Sequence, residues 1–168
     1  MRTIVVVPYD ENWSAEFIKI RDELIPAIDG LYIAIEHVGS TSVKGLWAKP
    51  IIDMNIVIEK GTLNKIIPAL DKIGYRHEGD LGIAGREAFK YDDKSHLMNH
   101  HLYVCEEDSE ELHRHIVFRD YLRLHDDERD RYSAIKIETA KKYPHDIDSY
   151  IEGKGVVVHD IYRKCGLE

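Results

Sequence analysis

The segment Ile33–Glu59, IAIEHVGSTSVKGLWAKPIIDMNIVIE, decides the fold of this chain. Its two apolar runs, Ile33–Val38 and Ile51–Ile58, have the length and the β-branched content of buried strands. The connection between them is rich in glycine and hydroxyl residues and is far more polar than either run. We therefore predict two neighbouring strands of one sheet, joined by a polar connection that begins with a turn.

The start of this connection has the composition of an anion-binding turn. Gly39 follows the first strand directly, and a turn at this point leaves backbone N–H groups free to face an anion. Glycine also permits a close approach of the backbone to a phosphate. The hydroxyl groups of the next three residues add short hydrogen-bond donors. The predicted phosphate-binding residues are Gly39, Ser40, Thr41 and Ser42.

The second strand carries two polar side chains in an apolar setting. Asp53 and Asn55 are two residues apart and therefore share one face of the strand, opening to a cleft. The alternate residues Ile52, Met54 and Ile56 point to the opposite face and into a core. A buried carboxylate is costly unless it is paired, which favours a functional Asp53 over one that caps a turn or pairs with a core lysine. An amide can also be satisfied by neighbouring backbone, so Asn55 is either catalytic or structural.

Composition predicts one soluble, cytoplasmic domain spanning residues 1–168. Of the 168 residues, 43% are hydrophobic and 32% are charged, as in ordinary globular proteins. No apolar run has the length of a membrane span, and Met1–Asp10 does not resemble a signal peptide. Cys105 and Cys165 are too few for a disulfide framework or a zinc cluster, so we expect reduced thiols. A formal net charge of −8 argues against binding long nucleic acid but permits a small nucleotide in a local positive pocket.

The order of apolar patterns predicts an α/β core over residues 1–107 and a helical part over residues 108–168. Turn residues and changes of periodicity set the expected boundaries. The expected strands are Thr3–Val7, Ile33–Val38, Ile51–Ile58, Tyr75–Glu78, Glu87–Tyr91 and His100–Cys105. The expected helices are Ser14–Ile28, Leu63–Ile73, Ser109–His125, Asp126–Lys142 and Asp146–Cys165.

Several separated motifs resemble those of the GrpB family, which belongs to the nucleotidyltransferase-fold superfamily. The motifs are VPYDENW, HVGSTSVKGLWAKPIID, GREAF, HHLYV and FRDYLR, in this order. The resemblance implies an α+β fold, with a mixed β-sheet, helices on one side and a helical C-terminal part. Nucleotidyltransferases carry Gly-Ser, then Asp-x-Asp or Asp-x-Glu, then a third carboxylate on a later strand. Gly39-Ser40 and Asp53 match that pattern, whereas Asn55 departs from it and no third carboxylate is evident.

The family motifs also single out two histidines. His101 matches the first histidine of a family pattern, and we expect it on a strand near Asp53, where the superfamily would place its third carboxylate. A structural, hydrogen-bonded role for His101 is the alternative. His37 matches the family signature before the glycine and is expected to orient the turn through its ring. The helical histidines His113 and His115 are expected to be solvated.

Basic residues near these motifs are candidates for neutralising a phosphate. Lys49 precedes the Asp53 strand, and its alternative is a solvated surface lysine. Arg86 matches the Gly-Arg step of the family and would clamp a phosphate bidentately, or else pair with Glu87 or an acidic helix. Lys136 and Lys154 are lesser candidates. In FRDYLR, the arginines and the aspartate are expected to form ion pairs that brace the active face.

Three functions from different classes follow from these residues. The first is transfer of a nucleotidyl group from a nucleoside triphosphate to a small acceptor, with Asp53 holding Mg²⁺ and with Asn55 and His101 completing the catalytic set. One carboxylate should bind Mg²⁺ weakly without nucleotide, and Asn55→Asp should tighten that binding. The second is a nucleotide- or phosphate-binding module without transferase activity. The third is a protein–protein adaptor that uses the helical part; the sequence indicates no oligomeric state.

Overall fold

The structure, a computed structural model, describes residues 2–168. Its strands are β1 (Ala34–Val38), β2 (Ile52–Ile58), β3 (Tyr75–Gly79), β4 (Glu87–Tyr91) and β5 (His100–Glu106). Its α-helices are α1 (Asn12–Leu24), α2 (Leu63–Asp71), α3 (Glu110–Leu124), α4 (Asp126–Lys142) and α5 (Ile147–Lys164). No helix within residues 2–168 is both long enough and apolar enough to cross a membrane.

The five strands form one mixed sheet in the order β1-β2-β5-β4-β3. β2 and β5 run parallel, and the other neighbouring pairs are antiparallel. The register sets Val38, at the end of β1, opposite Asp53. It sets Asp53 beside His101 of β5 on the other flank of the strand. The predicted α+β fold with a mixed sheet is thus confirmed, and the strand that carries the polar residues, β2, lies inside the sheet between β1 and β5.

The two faces of β2 meet different helices. Ile52, Met54 and Ile56 are fully buried in the main core, together with residues of α1 and α2. The opposite face turns toward the helical part, where Val57 packs with Cys105 of β5 and Leu112 of α3. The period-2 alternation of the strand therefore separates a purely apolar face from the face that carries Asp53 and Asn55.

A second core joins the helical part to the connection between β1 and β2. Val43 and Leu46 of this connection are buried against residues of all three C-terminal helices. The other buried members of this core are Leu122, Tyr132, Val157 and Ile161. Burying these apolar side chains together is favourable by about 1.5–3 kcal/mol for each large side chain. The helical part is therefore packed directly on the polar connection.

Two boundaries differ from the sequence prediction near the N-terminus. Thr3–Val7 is not a strand: only Val7 pairs, in an isolated bridge with Ala48, and the N–H of Ile4 donates to the carbonyl of Pro144 instead (2.8 Å). The predicted helix Ser14–Ile28 starts earlier, and α1 gives way to a 3-10 turn over Ile25–Ala27. Pro26 lies in that turn, and its missing N–H prevents the α-helix from continuing through it.

The packing of α4 on α5 generates a stability prediction for two glycines of α5. A Cβ at Gly153 would lie 2.6 Å from Thr139 Cγ2, whereas a Cβ at Gly155 would have only His159 Cδ2 nearby, at 3.9 Å. Thr139 is 3% exposed and its hydroxyl donates to Ile135, so it has no room to withdraw. Gly155→Ala should stabilise the protein by about 0.5–1 kcal/mol through helix propensity.

Gly153→Ala should not give this gain in stability, because its Cβ would clash with Thr139. We expect it to destabilise the protein by about 1–3 kcal/mol, the usual cost of overpacking. Urea unfolding of the two alanine variants and the wild type measures both effects. Equal stabilisation by the two substitutions would show that α4 and α5 are not in close contact at Gly153.

Candidate functional site

A cavity of about 230 Å³ opens where the connection after β1, the start of β2 and helices α4 and α5 meet. Backbone and side chains of both the sheet region and the helical part therefore contribute to its wall. The lining residues are Ser40, Thr41, Ala48, Lys49, Ile51, Asp53, His101, Lys136, Tyr150 and Lys154.

Gly39 allows the connection to pass directly over Asp53. Its backbone has φ +72°, and a Cβ built there would lie 2.5 Å from Asp53 Oδ2 and 3.0 Å from Asp53 Cβ. Both the left-handed conformation and the contact require glycine. The close approach that this glycine permits is thus an approach to the carboxylate itself, and any side chain at residue 39 would displace Asp53.

The three residues after Gly39 form a single 3-10 turn, Ser40–Ser42. Two backbone hydrogen bonds close the turn. The N–H of Ser42 donates to the Gly39 carbonyl (3.1 Å), and the N–H of Val43 donates to the Ser40 carbonyl (3.2 Å). Within residues 2–168 the N–H groups of Ser40 and Thr41 have no such acceptor. Ser42 uses its hydroxyl inside the turn, donating to the Gly39 carbonyl at 2.5 Å, and does not line the cavity.

The side chain of His37 supports the turn through Thr41. Its Nε2 lies 3.0 Å from Thr41 Oγ1, and its ring stacks on Phe17 with the ring centroids 4.8 Å apart. Burial, together with the charge of Arg123, lowers the pKa of His37 from 6.5 to about 4. The ring is therefore neutral near pH 7 and acts as a hydrogen-bonding support for Thr41.

Two arginines of α3 hold the backbone on either side of Gly39. Arg119 donates to Glu36 Oε2 (2.7 Å) and to the His37 carbonyl (3.0 Å). Arg123 donates through Nε and Nη2 to the Ser42 carbonyl, at 3.0 and 2.7 Å. The FRDYLR arginines thus brace the site mainly by binding carbonyl groups, in addition to the ion pairs that the sequence suggested.

Asp53 and His101 form a hydrogen-bonded pair at the edge of the cavity. His101 Nδ1 donates to Asp53 Oδ1 at 2.9 Å, and the two side chains are 53% and 32% exposed. A carboxylate that binds Nδ1–H leaves the neutral ring with Nε2 as a proton acceptor. This pair can act as a general base toward a group in the cavity.

Asn55 lies outside the cavity, so the expected pair of polar side chains does not open to one cleft. Asn55 is fully buried, its Nδ2 donates to His115 Nδ1 (3.2 Å), and Cys105 Sγ donates to its Oδ1 (3.4 Å). His115 Nε2 lies 3.1 Å from Glu111 Oε1. His115 was expected to be solvated, which is wrong: helix α3 covers this part of the sheet, and burial lowers the pKa of the ring.

The structure does not bring Arg86 to the cavity. Its guanidinium lies over the ring of Tyr103, 4.2 Å from the ring centroid, and its buried Nε has no hydrogen-bond partner within residues 2–168. Glu87, the predicted alternative partner, likewise has a buried Oε2 without a partner in that part of the chain. The guanidinium packs on Tyr103 of β5, and Arg86 is not among the residues that line the cavity.

Lys136 is the most deeply buried cation of the site. It is 3% exposed, its Nζ contacts Ser40 Oγ and donates to the Trp47 carbonyl (3.1 Å), and it lies 4.3 Å from the centroid of the Tyr132 ring. Burial, with the repulsion of Lys154, lowers its pKa well below the usual value. Only its place on a charged helix was visible in the sequence, so it ranked as a lesser candidate.

Lys49 and Lys154 share one aromatic ring at the cavity wall. Their Nζ atoms lie 5.5 and 4.9 Å from the centroid of the Tyr150 ring, within cation–π range. Burial lowers the pKa of both lysines. Sequence reasoning missed Tyr150 because a tyrosine on an amphipathic helix has no motif of its own.

The donor set of the cavity does not fit a resident Mg²⁺ ion. Asp53 is the only carboxylate on the wall, and it already accepts the Nδ1–H of His101. Asn55 is engaged in the buried network behind it. Within residues 2–168 no group of three or more His, Cys, Asp or Glu side chains is arranged to hold a metal ion. Mg²⁺ prefers several hard anionic oxygens, which this wall does not provide.

The mixed sheet, the turn after its edge strand and the carboxylate on β2 define a protein of nucleotidyltransferase fold. A crystal structure of the Cid1 poly(U) polymerase with MgGTP bound superposes with a TM-score of 0.55 and 9% identity, over 80% of this chain and 43% of that chain. This likeness shows the fold alone. The family model described as "GrpB protein" matches residues 3–164, and the chain belongs to that family.

Relatives support this assignment along nearly the whole chain. A glutamate-rich protein GrpB of Alkalihalophilus pseudofirmus is 35% identical over 165 residues, which are 96% of this chain and 95% of that protein. The UPF0157 protein YqkA of Bacillus subtilis is 34% identical over 154 residues, 91% of this chain but only 44% of that protein. The crystal structure of GrpB from Enterococcus faecalis has a TM-score of 0.83 and 28% identity, with 96% of each chain covered.

The buried network around Asn55 changes the expected effect of Asn55→Asp. The new carboxylate would face His115, and their pairing would raise the pKa of that ring. Stability from such a pair is present below the ordinary histidine pKa of 6.5 and is lost as pH rises through the raised value. At pH 8 the variant should be less stable than the wild type by about 1–3 kcal/mol, the cost of a buried unsatisfied group.

The loss of stability in Asn55→Asp should be smaller at pH 6 than at pH 8. The affinity of this variant for Mg²⁺ should not exceed that of the wild type. Urea unfolding at the two pH values and calorimetric titration with Mg²⁺ measure these outcomes. A clear gain in Mg²⁺ affinity would show that residue 55 reaches the cavity after all.

The lowered pKa of His37 predicts acid sensitivity. Between pH 6.5 and about 4 the unfolded state binds a proton that the folded state does not, so stability falls with falling pH. The loss from this one group is at most about 3 kcal/mol across that window. His37→Gln should flatten the pH dependence of the unfolding free energy, whereas the exposed His113→Gln should leave it unchanged. The same slope in the wild type and His37→Gln would place the sensitivity elsewhere.

Proposed function

We propose that the protein binds a nucleoside triphosphate, with the phosphate chain in the cavity between the Ser40–Ser42 turn and helices α4 and α5. The observation that carries this proposal is the charge of the wall: three lysines face a single carboxylate. The chain as a whole has a formal net charge of −8, so this concentration of cations runs against its overall composition. A local positive cavity attracts a compact polyanion.

The backbone of the turn adds to this attraction. The N–H groups of Ser40 and Thr41 have no acceptor within residues 2–168, and both residues line the cavity. Successive free N–H groups form a concave site for an anion. The supports from His37, Arg119 and Arg123 hold the turn in place before any ligand arrives. A preformed site loses less conformational entropy on binding.

The Asp53–His101 pair favours nucleotidyl transfer to a small acceptor as the reaction at this site. In the proposed step, His101 Nε2 takes the proton of an acceptor hydroxyl, whose oxygen bonds to the α-phosphorus of the nucleotide. The bond between that phosphorus and the bridging oxygen toward the β-phosphate breaks, and pyrophosphate leaves. Asp53 keeps the imidazole in the required tautomer and stabilises its protonated form. Without this reaction the protein would be a binding module.

Nucleotide binding and pyrophosphate release test these two proposals separately. Calorimetry with the four common nucleoside triphosphates should show saturable binding, and the failure of all four would favour the protein–protein adaptor. With an acceptor present, the wild type should release pyrophosphate. His101→Gln should lower the rate by about 10²–10⁴-fold, the usual contribution of a general base, while nucleotide affinity stays within a few-fold.

The exposed His113→Gln is the matched control and should leave both quantities unchanged. Undiminished pyrophosphate release by His101→Gln would exclude His101 as the base. Binding without any release of pyrophosphate would leave the binding module as the function.

A further inference from the structure

We propose that Lys49, Lys136 and Lys154 neutralise the phosphate chain in place of a divalent metal ion, so that the protein binds the metal-free nucleotide. This inference rests on the proposed nucleotide binding and specifies the ionic form of the ligand. It starts from a mismatch between fold and site: the fold is that of nucleotidyltransferases, but the wall of the cavity offers three ammonium groups where a metal site needs carboxylates.

Lys136 has neutral hydrogen-bond partners only. Its Nζ contacts the Ser40 hydroxyl and the Trp47 carbonyl, and the side chain is 3% exposed. Burial lowers the pKa of Lys136, and the charge of Asp53 offsets this only in part, so the ammonium form needs a further negative charge nearby. A phosphate oxygen next to Ser40 would supply that charge. The contact with Ser40 places Lys136 beside the free N–H groups of the turn, where such an oxygen would bind.

Lys49 and Lys154 are likewise free of carboxylate partners. The lysine salt bridges of the described chain are all formed by Lys164, which does not line this cavity. The Tyr150 ring instead holds both ammonium groups at the wall, through cation–π contacts. The charge of Asp53 favours the protonated form of each of these lysines. Asp53 also binds His101, however, and its single negative charge cannot balance the three lysines of the wall. The wall therefore retains an excess of positive charge that suits a polyanion.

A metal ion on the nucleotide would work against this wall. Mg²⁺ cancels two of the negative charges of a triphosphate and occupies phosphate oxygens that the lysines would otherwise bind. The fixed ammonium groups would also repel the ion, since only one carboxylate is near to offset them. Metal-free triphosphate should therefore bind more tightly than its magnesium complex. In a site that binds its nucleotide through a metal ion held by carboxylates, the magnesium complex would instead bind more tightly than the metal-free triphosphate.

The test is calorimetric titration of the wild type with ATP and with inorganic tripolyphosphate, each in EDTA and in excess Mg²⁺. Tripolyphosphate carries the phosphate chain without a base, so it tests the cavity by itself. We expect binding of both ligands in EDTA, weakened by roughly 10-fold or more in Mg²⁺. Binding that requires Mg²⁺ would overturn the inference and leave the proposed nucleotide binding intact. No binding of either ligand in either buffer would overturn both.

Charge-removing variants test the lysines themselves. Lys49→Met and Lys154→Met keep most of the side-chain volume at the half-buried wall, and each should weaken binding in EDTA by about 10- to 100-fold, the scale of one charged hydrogen bond. Lys141→Met, on the exposed surface of α4, is the matched control and should bind like the wild type. Folding of each variant is checked by its thermal transition. Wild-type affinity in both wall variants would overturn the role of the lysines.

Discussion

The contact between Gly39 and Asp53 is the constraint on which the site depends. The register of β1 and β2 sets Val38 opposite Asp53, so the chain leaves β1 directly over that carboxylate. With a Cβ position only 2.5 Å from Asp53 Oδ2, residue 39 can carry no side chain. The turn that follows is consequently held next to Asp53. One backbone conformation thereby places free N–H groups and a carboxylate in the same small cavity.

The helical part holds the turn in this position and completes the wall of the cavity. Arg119 and Arg123 of α3 bind carbonyl groups on both sides of the turn, and Lys136 of α4 contacts Ser40. These contacts link residues more than 80 positions apart in the chain, so the site exists only when both parts are packed together. The same packing makes the cavity cationic, because α4 and α5 bring two lysines to a wall that the sheet provides with one carboxylate. The packing of these helices on the sheet therefore determines both the shape and the positive charge of the site.

Local pattern was enough to predict the five strands of the sheet, most helix boundaries and the position of Asp53, although it also predicted a strand at Thr3–Val7 that does not form. Strand and helix periodicities depend on neighbouring residues, and α4 has the predicted bounds Asp126–Lys142. The apolar alternation around Asp53 predicted its face correctly, since side chains of a strand alternate whatever packs on them. His101 was expected on a strand near Asp53, where the superfamily would place its third carboxylate, and the register places the two residues side by side.

Tertiary structure alone decided which polar residues reach the cavity. Asn55 shares a face with Asp53, but α3 covers it and supplies His115 as its partner. Arg86 packs on Tyr103 instead of a phosphate position, and Lys136 turns inward from a helix whose sequence is dense in charge. Sequence by itself determined which residues could carry chemistry and on which side of a strand they lie. Which of them meet in one cavity depended on the docking of helices, because that packing joins residues far apart in the chain and leaves no periodic signal in either segment.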